Sequence, residues 1–148
     1  MEKEWNEKSA DFRNLTIPIF GYEIIRDELL EDLLGKDAPD ILYWAGKRLA
    51  RKYPLFSIEE VKEFFQNAGW GILEAGGQKK EEMEFFLLGP IVKYRLETHT
   101  EPTFRLEAGF LAEQLQLQKK VYAECFEQSE KEKGIIRFIA RWDREPLD

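Results

Sequence analysis

Cysteine and histidine are nearly absent from this sequence, which holds one of each, Cys125 and His99. A lone thiol excludes an internal disulfide and suits a reducing compartment, so the expected location is the cytoplasm. One thiol and one imidazole also fall short of the ligand set that zinc needs, and no metal is expected. Long apolar runs are missing too. No stretch approaches the roughly 20 residues of a membrane-spanning helix, and the charged opening MEKEWNEKSADF does not read as a secretory signal. Positive charge is in deficit: 22 Lys and Arg stand against 29 Asp and Glu, giving a net charge of −7 and a pI near 5.0. Phosphate backbones repel such a chain as a whole, so no nucleic-acid partner is expected. There is no nucleophile motif, phosphate-binding glycine loop, paired metal ligand or HxxxH. The expectation is a protein that is not an enzyme and carries no cofactor.

What is present suits one domain. The 148 residues are 43% hydrophobic and 14% aromatic, so large rings should fill a single core. Residues 1–14 mix both charge signs and read as a loose tail, which Trp5 and Phe12 would pin; residues 15–148 read as the domain. A first helix is expected near Tyr22, with Tyr22, Ile25, Leu29 and Leu33 at helical spacing and Gly35 as its stop. A second opens at Asp37-Ala38-Pro39-Asp40, with Asp37 as its cap, runs on an apolar stripe of Ile41, Leu42, Trp44, Ala45 and Leu49, and ends before Pro54. Ser57-Ile58-Glu59-Glu60 is a capping box for a third, which carries Val61, Phe64, Phe65 and Ala68 and stops at Gly69.

The period then changes. Trp70 to Leu73 reads as a short strand, Gly76-Gly77 as a turn, and Met83 to Leu88 as a strongly apolar strand. Gly89-Pro90 reads as a bulge, beyond which Val92, Tyr94 and Leu96 alternate with Lys93, Arg95 and Glu97 as a one-sided strand. Thr103 can cap a fourth helix with Phe104, Ala108, Leu111 and Leu115 on one face. Gly109, which costs about 1 kcal/mol mid-helix, would mark a close crossing there. Two strands finish the chain, from Lys120 to Gln128 and from Ile136 to Trp142, joined by a charged loop. The order α-α-α-β-β-α-β-β predicts an α+β fold, with helices packed on one face of an antiparallel sheet of about four strands.

Five segments carry a family resemblance: Ile17-Pro18-Ile19-Phe20-Gly21-Tyr22, Tyr43-Trp44-Ala45-Gly46-Lys47, Gly69-Trp70-Gly71, the run Phe104 to Leu111, and Cys125 with Ile136-Arg137-Phe138. In this order they resemble the YslB family, itself similar to the 4-vinyl-reductase-type ligand-binding domain and to TRAPP small subunits. The resemblance spans about residues 15–142. It implies helices on an antiparallel sheet, frequent homodimers, and an apolar space between the layers that relatives use for acyl chains, aromatic effectors or tetrapyrrole intermediates. Zinc-containing relatives carry two cysteines on the last hairpin. Here Cys125 fits the first position and Ile136 the second, so the metal is not carried over.

Two readings of function stand: a non-catalytic module that binds a hydrophobic small molecule or acyl chain, dimeric as relatives are, or an interaction or adaptor domain with a solid core. The pocket candidates are Trp44, Gly46, Phe64 and Trp70 from the first half, with Tyr94, Glu107, Phe110 and Phe138 from the second. Each has a plainer reading, the rings as core and the glycines as helix contacts. Glu107 would cap backbone amides or accept a bond inside the fold, with ligand contact as its alternative. Cys125 reads as a small buried residue, His99 as an exposed loop histidine, and Lys47, Arg48, Arg51 and Lys52 as a solvated helix end. Arg137 and Arg141 fall on the solvent face of the last strand and should pair with acidic neighbours.

Overall fold

The fold is described from a computed structural model over residues 15–146, with side chains described to residue 143. The tail at residues 1–14, with Trp5 and Phe12, lies outside the described residues. Helix α1 spans residues 19–34, and its middle, Ile24–Leu29, is wound as a π-helix. It stops at Gly35, whose φ of 68° no side chain favours. Helix α2 is Ala38–Lys52, with proline in its first turn and no side-chain bond from Asp37. Helix α3 is Ile58–Asn67. Its cap works as the sequence suggests: Ser57 Oγ accepts from the Glu60 N–H at 3.2 Å, and Glu60 Oε2 accepts from the Phe56 N–H at 2.6 Å.

Strands β1 (Ile72–Lys79) and β2 (Glu82–Leu88) form a hairpin, followed by helices α4 (Pro90–Thr98) and α5 (Arg105–Lys119). The hairpin of β3 (Val121–Glu130) and β4 (Ile135–Pro146) closes the chain. The sheet is antiparallel throughout, in the order β1-β2-β4-β3. It is a mixed α/β fold with a four-stranded antiparallel sheet. One sheet face is the core: Phe85 pairs with Phe138, Leu87 with Ile136 and Cys125 with Ala140, and all six are buried.

Three local expectations need correction. The segment Val92 to Glu97 is helix, not strand. Gly89 at φ 111° and Pro90 in the first turn start a helix rather than bulge a strand. The buried positions are Val92, Arg95 and Leu96, a helical spacing that the charge on Arg95 disguises. Gly76-Gly77 is not the turn. Both residues lie inside β1 where the register slips between Ala75 and Gln78, and the turn is Lys80-Glu81. Trp70 precedes β1, with its N–H bonded to the Phe65 carbonyl at 2.9 Å at the end of α3.

The α2–α5 crossing is built on two glycines. A Cβ on Gly46 would overlap the Leu106 carbonyl oxygen and lie 2.8 Å from the Phe110 nitrogen. A Cβ on Gly109 would overlap the Tyr43 carbonyl oxygen and lie 2.8 Å from its carbonyl carbon. Each helix thus uses its glycine to admit the backbone of the other, so Gly109 does mark a close crossing.

Candidate functional site

Helix α1 is packed with its polarity reversed. Its buried residues are Glu23, Arg26 and Asp27, at the spacing i, i+3, i+4, whereas Ile25 is 59% and Leu33 77% exposed. The charged face lies against α4 and the start of α5, where it meets Tyr94, Arg95, His99, Thr103 and Glu107. Burying that many ionisable groups requires compensation: Arg26 and Arg95 answer Glu107 and Asp27, and Glu23 meets Tyr94 and His99, while Arg26 Nε and Glu107 Oε2 are buried without a hydrogen-bond partner.

Arg95 holds Asp27 in a two-pronged bond, Nε to Oδ2 at 2.9 Å and Nη2 to Oδ1 at 2.7 Å. Its Nη2 also donates to the Thr103 carbonyl at 2.7 Å, its Nη1 lies 3.6 Å from Glu107 Oε2, and its guanidinium stands 4.2 Å above the Phe104 ring. Arg26 bonds Glu107 Oε1, donates to the Thr103 carbonyl at 3.3 Å and donates to the Tyr22 hydroxyl at 3.0 Å. Burial opposes the charge on Arg26. The adjoining Glu107 carboxylate, followed by Tyr22 and Asp27, outweighs that effect and raises its pKa above the ordinary value. Burial first, partly countered by Arg26, raises the Tyr22 phenol. At the outer end, Glu23 accepts from the Tyr94 hydroxyl at 2.9 Å and meets His99 Nε2 at 2.8 Å. The bond to Glu23 raises the Tyr94 phenol.

His99 is therefore not an exposed loop histidine. Its side chain is 22% exposed, and Asp27 Oδ2 lies 3.7 Å from its ring nitrogen in addition to Glu23. Sequence reasoning also missed Glu23, Arg26, Asp27 and Arg95. The available signal was the pair of opposite charges, Arg95 and Glu107, each embedded among apolar helix residues. Among the described residues, no group of three or more His, Cys, Asp or Glu is arranged to hold a metal ion.

The eight pocket candidates fall in five places. Phe64, Trp70 and Phe110 pack on one another, with Phe64 stacked on Phe110 at 4.5 Å and Trp70 edge-on to Phe110 at 5.2 Å. Phe65 joins them edge-on to Trp70 at 5.0 Å. Tyr94 and Glu107 belong to the charge cluster, and Gly46 to the helix crossing. Phe138 is buried in the sheet, and Trp44 is on the surface, 56% exposed, with Arg48 5.4 Å from its ring.

The basic residues of α2 are dispersed likewise: Lys47 over Tyr43 and Tyr122, Arg51 to Glu113 at 3.2 Å. Arg137 pairs with Glu84, and Arg141 with Glu82 at 2.8 Å, as expected of the outer sheet face. Cys125 is buried, its N–H donates to the Tyr43 hydroxyl at 3.0 Å, and burial pushes its thiol pKa up, the state of an inert thiol.

Two further exposed features bear on function. One is a set of exposed apolar side chains, Ile25, Leu29 and Leu33 on α1 and Ile41 and Trp44 on α2. The other is an open cleft of about 580 Å³, lined among others by Leu15, Ile17, Ile19, Gly71, Ile72 and Ile91. Among the described residues, no helix is long and apolar enough to cross a membrane.

The fold has counterparts among solved structures. A vinyl-4-reductase family protein from Methanocaldococcus jannaschii superposes with a TM-score of 0.61 at 20% identity, over 88% of this chain and 84% of that one. An Fe(II) unliganded H-NOX protein mutant from K. algicida gives 0.56 at 11% identity, over 88% of this chain and 76% of that one. At such identities the likeness shows the fold alone. Sequence comparison reaches further. The family described as protein of unknown function (DUF2507) matches residues 19–141. The "Uncharacterized protein YslB" of Bacillus subtilis (strain 168) is 43% identical over 143 residues, 97% of each chain. The chain belongs to this family of proteins of unknown function and is a homologue of YslB.

Proposed function

We propose that the protein is a non-catalytic interaction module of the cytoplasm that works as a homodimer, joined through the apolar face of α1 and α2. The observation that carries this reading is the reversed polarity of α1. A helix that buries Glu23, Arg26 and Asp27 while leaving Ile25, Leu29 and Leu33 in water has spent its hydrophobic side on something outside its own fold. The face is also suited to a second copy of itself. The exposed acids Glu28, Asp32 and Asp40 lie on α1 and the start of α2, whereas the exposed bases Arg48, Arg51 and Lys52 lie at the end of α2. A two-fold arrangement sets the acidic end of one copy against the basic end of the other, the self-complementarity that a symmetric dimer requires. A stable interface buries about 1,200–2,000 Å² in total, which two helices per copy can supply.

Sedimentation velocity at micromolar concentration tests this reading. A dimer that becomes a folded monomer on Leu29→Glu with Leu33→Glu is expected. A wild-type monomer at 50–100 times that concentration, roughly −5 to −6 kcal/mol of association at best, would exclude it.

A second reading, a module for a hydrophobic small molecule, rests on the 580 Å³ apolar cleft, a size within the range of small-molecule sites. Native mass spectrometry of protein from its own host tests it, and a homogeneous unliganded mass counts against it.

A further inference from the structure

We infer that the free edge of β1, together with the outer face of α3, is a docking groove for an extended basic segment of a partner protein, which adds to the sheet as a fifth strand. Among the described residues β1 ends the sheet and pairs only with β2. Among the described residues, no other backbone hydrogen bond reaches Ile72, Leu73 or Glu74. Unpaired strand edges template a further strand unless they are blunted. This one is bent only in its far half, by the register slip between Ala75 and Gln78, so the stretch Ile72 to Ala75 keeps regular pairing geometry.

A helix that lay tightly on this edge would seal it. Helix α3 packs beside β1, and an open cleft of about 440 Å³ there is lined by Glu59, Lys62, Glu63 and Gln66 of α3 and by Ile72, Leu73 and Glu74 of β1. The α3 residues have the spacing of one helix face, so they form a continuous wall. The groove is acidic. Three glutamates face one lysine, and Lys62 is already tied to Glu59 at 3.3 Å. Among the described residues Glu63 and Glu74 have no ion pair, which leaves two carboxylates to meet incoming cations. Gln66 and Ile72 also line the apolar cleft beside α1, so the groove runs from an acidic half into an apolar half. The matching partner is a strand with lysine or arginine on alternate residues and an apolar side chain at one end. Backbone bonds would supply affinity, and the two halves would set its direction. The inference stands apart from the α1–α2 dimer, which uses other helices.

The full-length chain, labelled with nitrogen-15, is titrated with a fluorescein-tagged hexapeptide of alternating lysine and valine that ends in leucine. The control is the same peptide methylated on alternate backbone nitrogens, with its charge unchanged but its edge bonds blocked. Expected are saturable anisotropy, slowed exchange of those amides between Ile72 and Ala75 that point away from β2, and binding weaker by about tenfold or more both for the methylated peptide and for Glu63→Lys with Glu74→Lys. Both glutamates are exposed, so that variant should keep the wild-type circular dichroism. Equal binding of the methylated peptide would reduce the groove to a charge effect and overturn the proposal. So would absence of binding, shifts that map elsewhere, or shifts of these amides that follow protein concentration instead of peptide, which would give the edge to a second copy.

Discussion

Replacing Arg95 with methionine is the sharpest probe of the buried charges. Methionine keeps a flexible stem over Phe104 and removes only the guanidinium, with its two bonds to Asp27 and its bond to the Thr103 carbonyl. Asp27 is then left as a carboxylate in a nearly dry site, with the His99 ring nitrogen 3.7 Å from its Oδ2. Removing one member of a buried pair costs about 3–5 kcal/mol, because the other keeps its desolvation penalty without compensation. That is a large part of the roughly 5–15 kcal/mol of a whole domain. At this chain length it lowers the thermal midpoint by about 6–20 °C. Arg95→Met with Asp27→Leu removes one charge of each sign and leaves the Arg26–Glu107 pair in place, so it should lose about 1 kcal/mol or less. The coupling between the two sites is then at least about 2 kcal/mol. Urea titration followed by tryptophan fluorescence, at one protein concentration, measures all four corners of the cycle. A single variant that loses under about 1 kcal/mol, or a double variant that loses the sum of both singles, would refute the reasoning.

The helix crossing makes a second test. Gly46→Ala or Gly109→Ala should lower stability by about 1–3 kcal/mol or more, because each new methyl meets backbone that cannot rotate away. Gly21→Ala, in α1 with nothing within 4 Å of the added carbon, should instead gain about 0.5–1 kcal/mol; thermal melts compare the three. Alkaline stability is a third. Burial raises both the Cys125 thiol and the Tyr43 phenol, the latter to about 12, so the folded state favours their neutral forms. Their contribution is complete below the ordinary values of 9.0 and 10.0 and is lost as pH climbs past them toward the folded values. The thermal midpoint should therefore fall above pH 9, and Tyr43→Phe should flatten the part of that fall that begins near pH 10. A fourth concerns access: a disulfide reagent should modify Cys125 of the native protein only as fast as the fold opens, and equally fast with or without calcium or zinc present.

Most of the architecture could be read from the residues. The Ser57 to Glu60 box, the glycine of α5 and the alternation of Ile136, Phe138 and Ala140 each have a local cause that the fold leaves intact. The misreadings share another cause. Burial was equated with apolarity, and around α1, α4 and the start of α5 the interior is made of charges. Arg95 holds a buried position of α4, so the helical period there shows only as Val92 and Leu96, and the six residues look like an alternating strand. In α1 the stripe of Tyr22, Ile25, Leu29 and Leu33 set the helix correctly in sequence but lies on its outer side from Ile25 onward. No single residue announces such an interior. It becomes visible only when the opposite charges on three separate helices meet, and that meeting is a property of the tertiary fold. The pocket candidates failed to converge for a related reason. Rings and glycines that leave room can have that room taken by a neighbouring ring or a carbonyl, as Phe64 and Gly46 show.

The paired glycines of α2 and α5 also have a mechanical meaning. Where two helices touch main chain to main chain, no layer of rotamers lies between them to absorb a push. With backbone against backbone at Gly46 and Gly109, a push on α2 is therefore expected to carry α5 with it rather than be taken up by side chains between them.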